Sequence, residues 1–250
     1  MNLIDRVAYT NRLAGRSAAE KTLFALGMLV LALVLPPMPG DVVVLAVMTT
    51  AALAVARVPL RTYAKLIAGP LFFLAFGVLP LLVSVGVGGD GLVSLGLASG
   101  GAELALRVTL RSLAGVSCLL FLSLSTPVPQ ILAVLRTVRT PAVVTEVALL
   151  IYRFIWVFVD TVGAIRTAQA SRLGYRTWRS SYRSLAMMSA TFFGQTLQRA
   201  RAMDHGLQAR NWQGELVVLD HRAATTALGL LVVLVVQAGT VAAVVAWSVA

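Results

Sequence analysis

From Ala223 to Val249 the chain carries no charged residue. A hydrocarbon core of ~30 Å is crossed by about 20 helical residues, and in lipid every backbone N–H and C=O must find a partner inside the segment or its bundle. This run can therefore only be a membrane-spanning helix. Four more runs read as spans: Thr22–Met38, closed by Pro36, Pro37 and Pro39; Val42–Ala56, short but uncharged; Leu66–Val87, which contains Gly69, Pro70, Gly77 and Pro80; and Leu104–Leu124, with Arg107 and Arg111 near its start. Only 12 % of the 250 residues are charged, half the share of roughly 25 % usual in soluble domains. The fold class expected is an all-α integral membrane protein. Its N-terminus, MNLIDRVAYTNR, is polar and the first apolar run is too long for a cleavable signal, so insertion through the first span is expected. One cysteine, Cys118, excludes an intramolecular disulfide and a cysteine-based metal cluster, and reads as packing within a span.

Basic residues then set the topology, because Lys and Arg accumulate in cytoplasmic loops. Arg6, Arg12, Arg16 and Lys21 place the N-terminus inside. The Pro36–Asp41 turn has no basic residue and goes outside; Arg57, Arg61 and Lys65 return inside; the glycine-rich Gly86–Gly101 loop, read as flexible, goes outside; Arg136 and Arg139 are inside again. The next apolar run, Pro141–Val159, is ambiguous. Thr140 and Pro141 read as N-cap and first helical residue, and Glu146, Arg153 and Asp160 recur every seven residues along one helix face. If this run spanned, nine arginines between Arg166 and Arg222 would be stranded outside. The expectation is therefore five spans: four in 1–124, three cytoplasmic-side helices in 125–222, and a last span in 223–250. Six spans is the alternative.

Within 125–222, a short helix follows Ser125-Thr126-Pro127, a second starts at Pro141 and runs to about Arg172, and a third covers Ser181 to about Arg210. The third has a stripe of Leu185, Phe192, Thr196, Ala200, Met203 and Leu207 at three- and four-residue spacing, which suits packing against a neighbouring helix. Both long helices end alike. Ala170-Ser171-Arg172-Leu173 is followed by Gly174, and Ala209-Arg210 by Asn211, the residue types that accept a left-handed C-terminal position. Arginine at a helix C-terminus is favoured by the macrodipole alone. Two matching ends outside the bilayer equally suit a pair of prongs offering guanidinium forks to carboxylates of a partner.

The order STPVPQILAVLRTVRTPAVVTEVALLIYRFIWVFVDTVGAIRTAQASR, then a second amphipathic helix and RAMDHGLQARNWQGE, resembles the transmembrane T component of energy-coupling factor transporters of the cobalt-uptake type. The resemblance covers nearly the whole chain. It implies a multi-pass protein of the bacterial cytoplasmic (inner) membrane, N-terminus cytoplasmic, that is not itself an enzyme and binds no cofactor. Its implied partners are two ABC-type ATPase subunits, which would bind ATP, a substrate-binding membrane (S) component and the lipid bilayer, with no nucleic acid. Family members carry two Ala-Arg-Gly signatures at the ends of cytoplasmic coupling helices that seat in the ATPases. The matching positions here are Ser171-Arg172-Leu173 and Ala209-Arg210-Asn211: both arginines are kept, and Leu173 and Asn211 stand where glycine is usual.

Other candidates carry less. His205 and His221 each follow an aspartate but lack the spacing of a metal site, and no span holds a His, Cys or carboxylate cluster able to strip water from a divalent ion, so no metal ligand is assigned. The Glu146, Arg153, Asp160 line reads better as a structural, ion-paired face than as a proton relay. Met187, Met188 and Met203 suit flexible packing. Gly86–Gly91 lacks a phosphate-binding loop pattern. The competing function class is a polytopic membrane enzyme or small secondary transporter with a cytoplasmic-face site. That class needs clustered carboxylates, a nucleophile with its base, or paired broken helices, and none is found in the sequence.

Overall fold

The computed structural model describes residues 3–87, 93–97, 100–137, 140–211 and 225–249. They form two compact units, one of Met1–Ile131 with His221–Ala250 and the other of Leu132–Asp220. The protein is all-α apart from one small hairpin.

The first unit contains α1 (Leu3–Thr10), α2 (Ala18–Val34), α3 (Pro39–Thr50) prolonged by a π-helical turn over Ala51–Val55, α4 (Leu60–Leu82), α5 (Gly101–Ser125) and, at its end, α9 (Ala227–Val249). Its core is built from small residues at helical spacing. Val44, Met48, Ala52 and Ala56 form one buried row on α3 and its π turn, facing Ala25, Met28 and Ala32 of α2 and Ala114, Cys118 and Phe121 of α5. Small side chains let helix backbones approach closely, which matters in a medium where lipid is as apolar as the core itself. The outer faces are apolar too: Phe72 (67 % exposed), Phe73 (75 %) and Leu231 (60 %) point away from the bundle, as suits lipid contact and no aqueous surface.

Two strands, β1 (Val83–Val87) and β2 (Val93–Leu97), pair antiparallel with Val83 opposite Leu97 and Val87 opposite Val93. The third apolar run therefore stops being helical at Leu82, and the expected flexible Gly86–Gly101 loop is instead a hairpin in its described parts; residues 88–92, 98 and 99 lie outside the described residues. VSVGV and VSLGL alternate apolar with small residues at period two, the signature that favours extended pairing once the helix has ended.

Side-chain contacts fix the helix directions in this unit. Lys21 Nζ donates to Ser125 O (3.0 Å), Phe24 meets Phe121 edge-on (5.4 Å between ring centres), and Arg111 Nη2 donates to Leu35 O (3.1 Å), so α2 and α5 are antiparallel and α5 ends beside the start of α2. Along α9 the order is the reverse: Thr226 N donates to Glu20 Oε1 (2.8 Å) and Thr240 Oγ1 lies 4.0 Å from Met28 Sδ, so α9 runs parallel to α2 and starts beside it. The chain thus leaves α5 and re-enters α9 at one end of the unit, the end that also carries Arg12, Arg16 and Lys21.

The second unit holds α6 (Val128–Thr137, shared with the first at its start), α7 (Ala142–Ser171) and α8 (Trp178–Ala209). By length and composition α7 could cross a membrane, whereas α8, with Arg179, Arg183, Arg199, Arg201 and Asp204, is too polar to do so. Four of the described helices, α4, α5, α7 and α9, are long and apolar enough to cross a membrane, and α3 with its π turn is a shorter apolar helix. Helix α7 begins one residue later than expected, with Pro141 at the N-cap and no side-chain cap from Thr140. Arg107 and Arg111, exceptions to the loop pattern, are both placed: Arg107 pairs with Glu103 one turn back, and Arg111 pairs with Asp41 at 3.6 Å.

Candidate functional site

Helix α7 ends in a tight, fully bonded turn. Arg172 is its C-cap (φ −95°, ψ 17°) and Leu173 takes the left-handed conformation (φ 58°). Leu173 N donates to Ala170 O (3.0 Å) and Gly174 N to Gln169 O (2.9 Å), the two reversed bonds of a Schellman ending. Helix α8 starts at once. Its N-cap Thr177 accepts from Ser180 N (3.2 Å), and Thr177 N donates back to Ser180 Oγ (3.1 Å), a reciprocal capping box.

The turn is pinned to both helices by side chains. Gln169 Nε2 donates to Ser184 O (2.9 Å), Ser184 Oγ to Gly174 O (2.8 Å), and Tyr175 Oη to Gln169 Oε1 (2.6 Å), with Ser184 buried. A Cβ at Gly174 would sit 2.6 Å from Ser184 Oγ and 2.9 Å from Gln169 O. Glycine is therefore required at 174 for close approach, while the left-handed residue is Leu173. Adjacent substitutions should then act in opposite directions. Leu173→Gly relieves a left-handed side-chain clash and is expected to stabilise by about 1 kcal/mol; Gly174→Ala forces the knot apart and is expected to destabilise by about 1–3 kcal/mol. Thermal unfolding of the purified variants checks both signs.

Helix α8 ends in the same way. Arg210 is its C-cap (φ −97°, ψ 14°), Asn211 is left-handed (φ 55°), and Asn211 N donates to Gln208 O (3.0 Å). Asn211 tolerates this backbone through its short side chain, so the two departures from glycine at 173 and 211 do not change the turn. Ala170, Ser171, Arg172, Leu173, Ala209, Arg210 and Asn211 are all exposed. Neither guanidinium has a hydrogen-bond or ion-pair partner among the described residues. The knot holds Arg172 beside the first turns of α8, and Arg210 lies at its far end. With 1.5 Å of rise per residue, the two arginines stand roughly 40 Å apart.

Contact between α7 and α8 continues with Phe158 edge-on to Phe192 (5.2 Å between ring centres) and Arg199 Nη1 donating to Thr161 Oγ1 (2.9 Å). Of the expected stripe, Phe192, Thr196, Met203 and Leu207 are half-buried, whereas Leu185 (51 % exposed) and Ala200 stand out of it. The packed row instead runs through Ser184, Met188, Phe192, Thr196, Arg199 and Met203. Arg199 belongs to it because its stem packs while its head bonds across the pair. On α7, Glu146 is buried and Arg153 and Asp160 are exposed with no salt bridge to each other; seven residues is about 10 Å of helix, too far for direct pairing. His205 is exposed on α8, and His221 lies outside the described residues. Among the described residues no three of His, Cys, Asp and Glu gather as a metal site.

Sequence reasoning missed Gln169, Gly174, Tyr175 and Ser184 as the support of the first tip. The only signal for them was Gly174-Tyr175 directly after the left-handed position.

The profile of the family described as CbiQ, cobalt transport protein, matches residues 10–221. The chain belongs to this family. It is a membrane component of cobalt transport. It is 43 % identical over 240 residues to the cobalt transport protein CbiQ of Rhodobacter capsulatus, covering 96 % of both chains. To the CbiQ of Salmonella typhimurium it is 31 % identical over 223 residues, covering 86 % of this chain and 99 % of that one. A putative fused cobalt transport protein CbiMQ of Methanocorpusculum labreanum is 31 % identical over 240 residues, which take up 93 % of this chain and 40 % of the fused one.

Proposed function

We propose that this chain is the coupling subunit of an ATP-driven cobalt importer. Its basic end faces the cytoplasm, as the excess of Lys and Arg there requires, and its N-terminus lies on that side. ATP is bound and hydrolysed by two partner ATPase subunits. Arg172 and Arg210 seat in one subunit each, and movement of those subunits is passed through α7 and α8 to a separate membrane subunit that binds the metal. The observation that carries this reading is the pair of helix ends: the same arginine C-cap followed by a left-handed residue, the same exposed arginine with no partner among the described residues, separated by roughly 40 Å. That distance exceeds what one groove would span and fits two sites on two bodies.

Further support comes from the α7–α8 contact, where Met188, Met203 and Thr196 offer a surface of flexible and small side chains. The fused CbiMQ relative supports a membrane partner, since most of that longer chain lies outside the region matched here. This chain binds neither the metal nor ATP.

The native Cys118 is buried, so cysteines introduced at Ser171 and Ala209 report alone. In the assembled transporter each is expected to cross-link to an ATPase subunit, and both together to two copies. Absence of cross-linking at both positions, with assembly intact, would remove the proposal.

A further inference from the structure

Between α2, α3, its π turn and α9 lies a half-open cavity of about 550 Å³. Its walls are apolar, formed by Phe24, Val47, Phe121, Val232 and Val236, and its polar residues, Arg16, Glu20 and Lys21, sit together at the basic end. The lining reaches from Leu228 to Val236 on α9 and from Ala46 to Val55 on α3 and its π turn. Eight or nine helical steps are roughly 12–14 Å, just under half of a ~30 Å hydrocarbon core. The cavity is as deep as one leaflet.

Its three charged residues differ in what they have left to offer. Glu20 accepts Thr226 N (2.8 Å) and Thr226 Oγ1 (3.1 Å). Lys21 donates to Leu13 O (3.1 Å), Ser125 O (3.0 Å) and Gln130 Oε1 (3.5 Å). Glu20, through Oε1, and Lys21 join α2 to α9 and α5. Arg16 is exposed and its guanidinium has no partner among the described residues. The mouth therefore presents one unengaged cation above an apolar slot.

We infer that this cavity is a phospholipid site, in which an acyl chain of an anionic lipid from the leaflet at the basic end fills the slot and its phosphate is held by Arg16. A lipid held there packs α2, α3 and α9 together at the level where α9 re-enters the membrane. Guanidinium and phosphate match as charge and as fork geometry, and an anionic headgroup lacks the choline ammonium that would offset the phosphate and repel Arg16, which gives the site its preference for anionic over zwitterionic lipids.

The test uses the full chain purified in detergent, delipidated, and titrated with phosphatidylglycerol or phosphatidylcholine of identical acyl chains, with bound lipids counted by native mass spectrometry. The wild type is expected to retain one phosphatidylglycerol, with a preference over phosphatidylcholine of about tenfold, as one charge-assisted contact gives. Arg16→Gln, at an exposed position, is expected to erase that preference while some binding of both lipids persists. Val47→Trp, and separately Val236→Phe, fill the slot and are expected to lose the retained lipid while remaining folded by circular dichroism. Retention unchanged in both filling variants, or a headgroup preference unchanged in Arg16→Gln, would overturn the inference. So would a photo-cross-linker at Val232 that captures a polypeptide in membranes and no lipid.

Discussion

Arg210→Glu is expected to weaken binding of the ATPase subunits by about 2–5 kcal/mol, the range for reversing one member of a desolvated interfacial charge pair. Arg172→Glu is expected to do the same at the other tip. Both side chains are exposed at helix ends and bonded to nothing among the described residues, so the loss should appear in assembly and leave folding of the isolated chain almost unchanged. Because the tips are roughly 40 Å apart, the two losses should add to within about 0.5 kcal/mol when binding to separated ATPase subunits is measured. Arg210→Lys should fall between wild type and Glu, since lysine keeps the charge and gives up the planar fork. Titration of labelled ATPase subunits onto the purified chain measures all of these. If the arginines served only to complement the macrodipole, Lys would equal wild type and Glu would lower helix stability by less than about 1 kcal/mol without touching assembly.

Arg111→Met is expected to be the most destabilising single change in the first unit. Asp41 is completely buried; among the described residues its carboxylate oxygens have no hydrogen-bond partner, and its one salt bridge is to Arg111 Nε at 3.6 Å. The same guanidinium donates through Nη2 to Ala32 O (3.2 Å), Leu33 O (3.3 Å) and Leu35 O (3.1 Å), closing the C-terminus of α2. Removing it leaves a buried charge uncompensated and three carbonyls without that donor, a loss of about 3–5 kcal/mol. Adding Asp41→Asn to Arg111→Met removes the stranded charge and should restore part of it. Equilibrium unfolding of the single and double variants in one detergent checks the order: wild type, then the double variant, then Arg111→Met.

Much of the fold follows from patterns that are local in sequence. The uncharged run ending at Val249 and the proline-marked turn after Val34 made the apolar helices and the all-α membrane class legible, because hydrocarbon length acts on contiguous segments. The helix ends at Arg172 and Arg210 were visible for the same reason, as a C-cap involves only five or six consecutive residues. What stayed hidden depends on partners far along the chain. Lys21 meets Ser125 and Glu20 meets Thr226 across 104 and 206 positions, and neither looks different from any other helix-start charge until the bundle is assembled. Arg111 was an anomaly in the loop pattern, and only its pairing with Asp41 explains it. Leu173 in a left-handed turn ran against local propensity; the knot of Gln169, Gly174 and Ser184 over-determines that turn and carries the strain. The stripe on α8 was misdrawn at Leu185 and Ala200 because hydrophobicity alone cannot tell that the stem of Arg199 faces α7.

The central claim is that two arginine-capped helix ends transmit ATPase motion to a membrane subunit. The direct measurement is cobalt uptake and ATP hydrolysis, recorded together in vesicles holding the reconstituted transporter, with Arg172→Ala and Arg210→Ala combined in this chain. The account predicts that uptake falls to background while any remaining hydrolysis no longer responds to the presence of cobalt. Uptake at the wild-type rate in the double variant would contradict it.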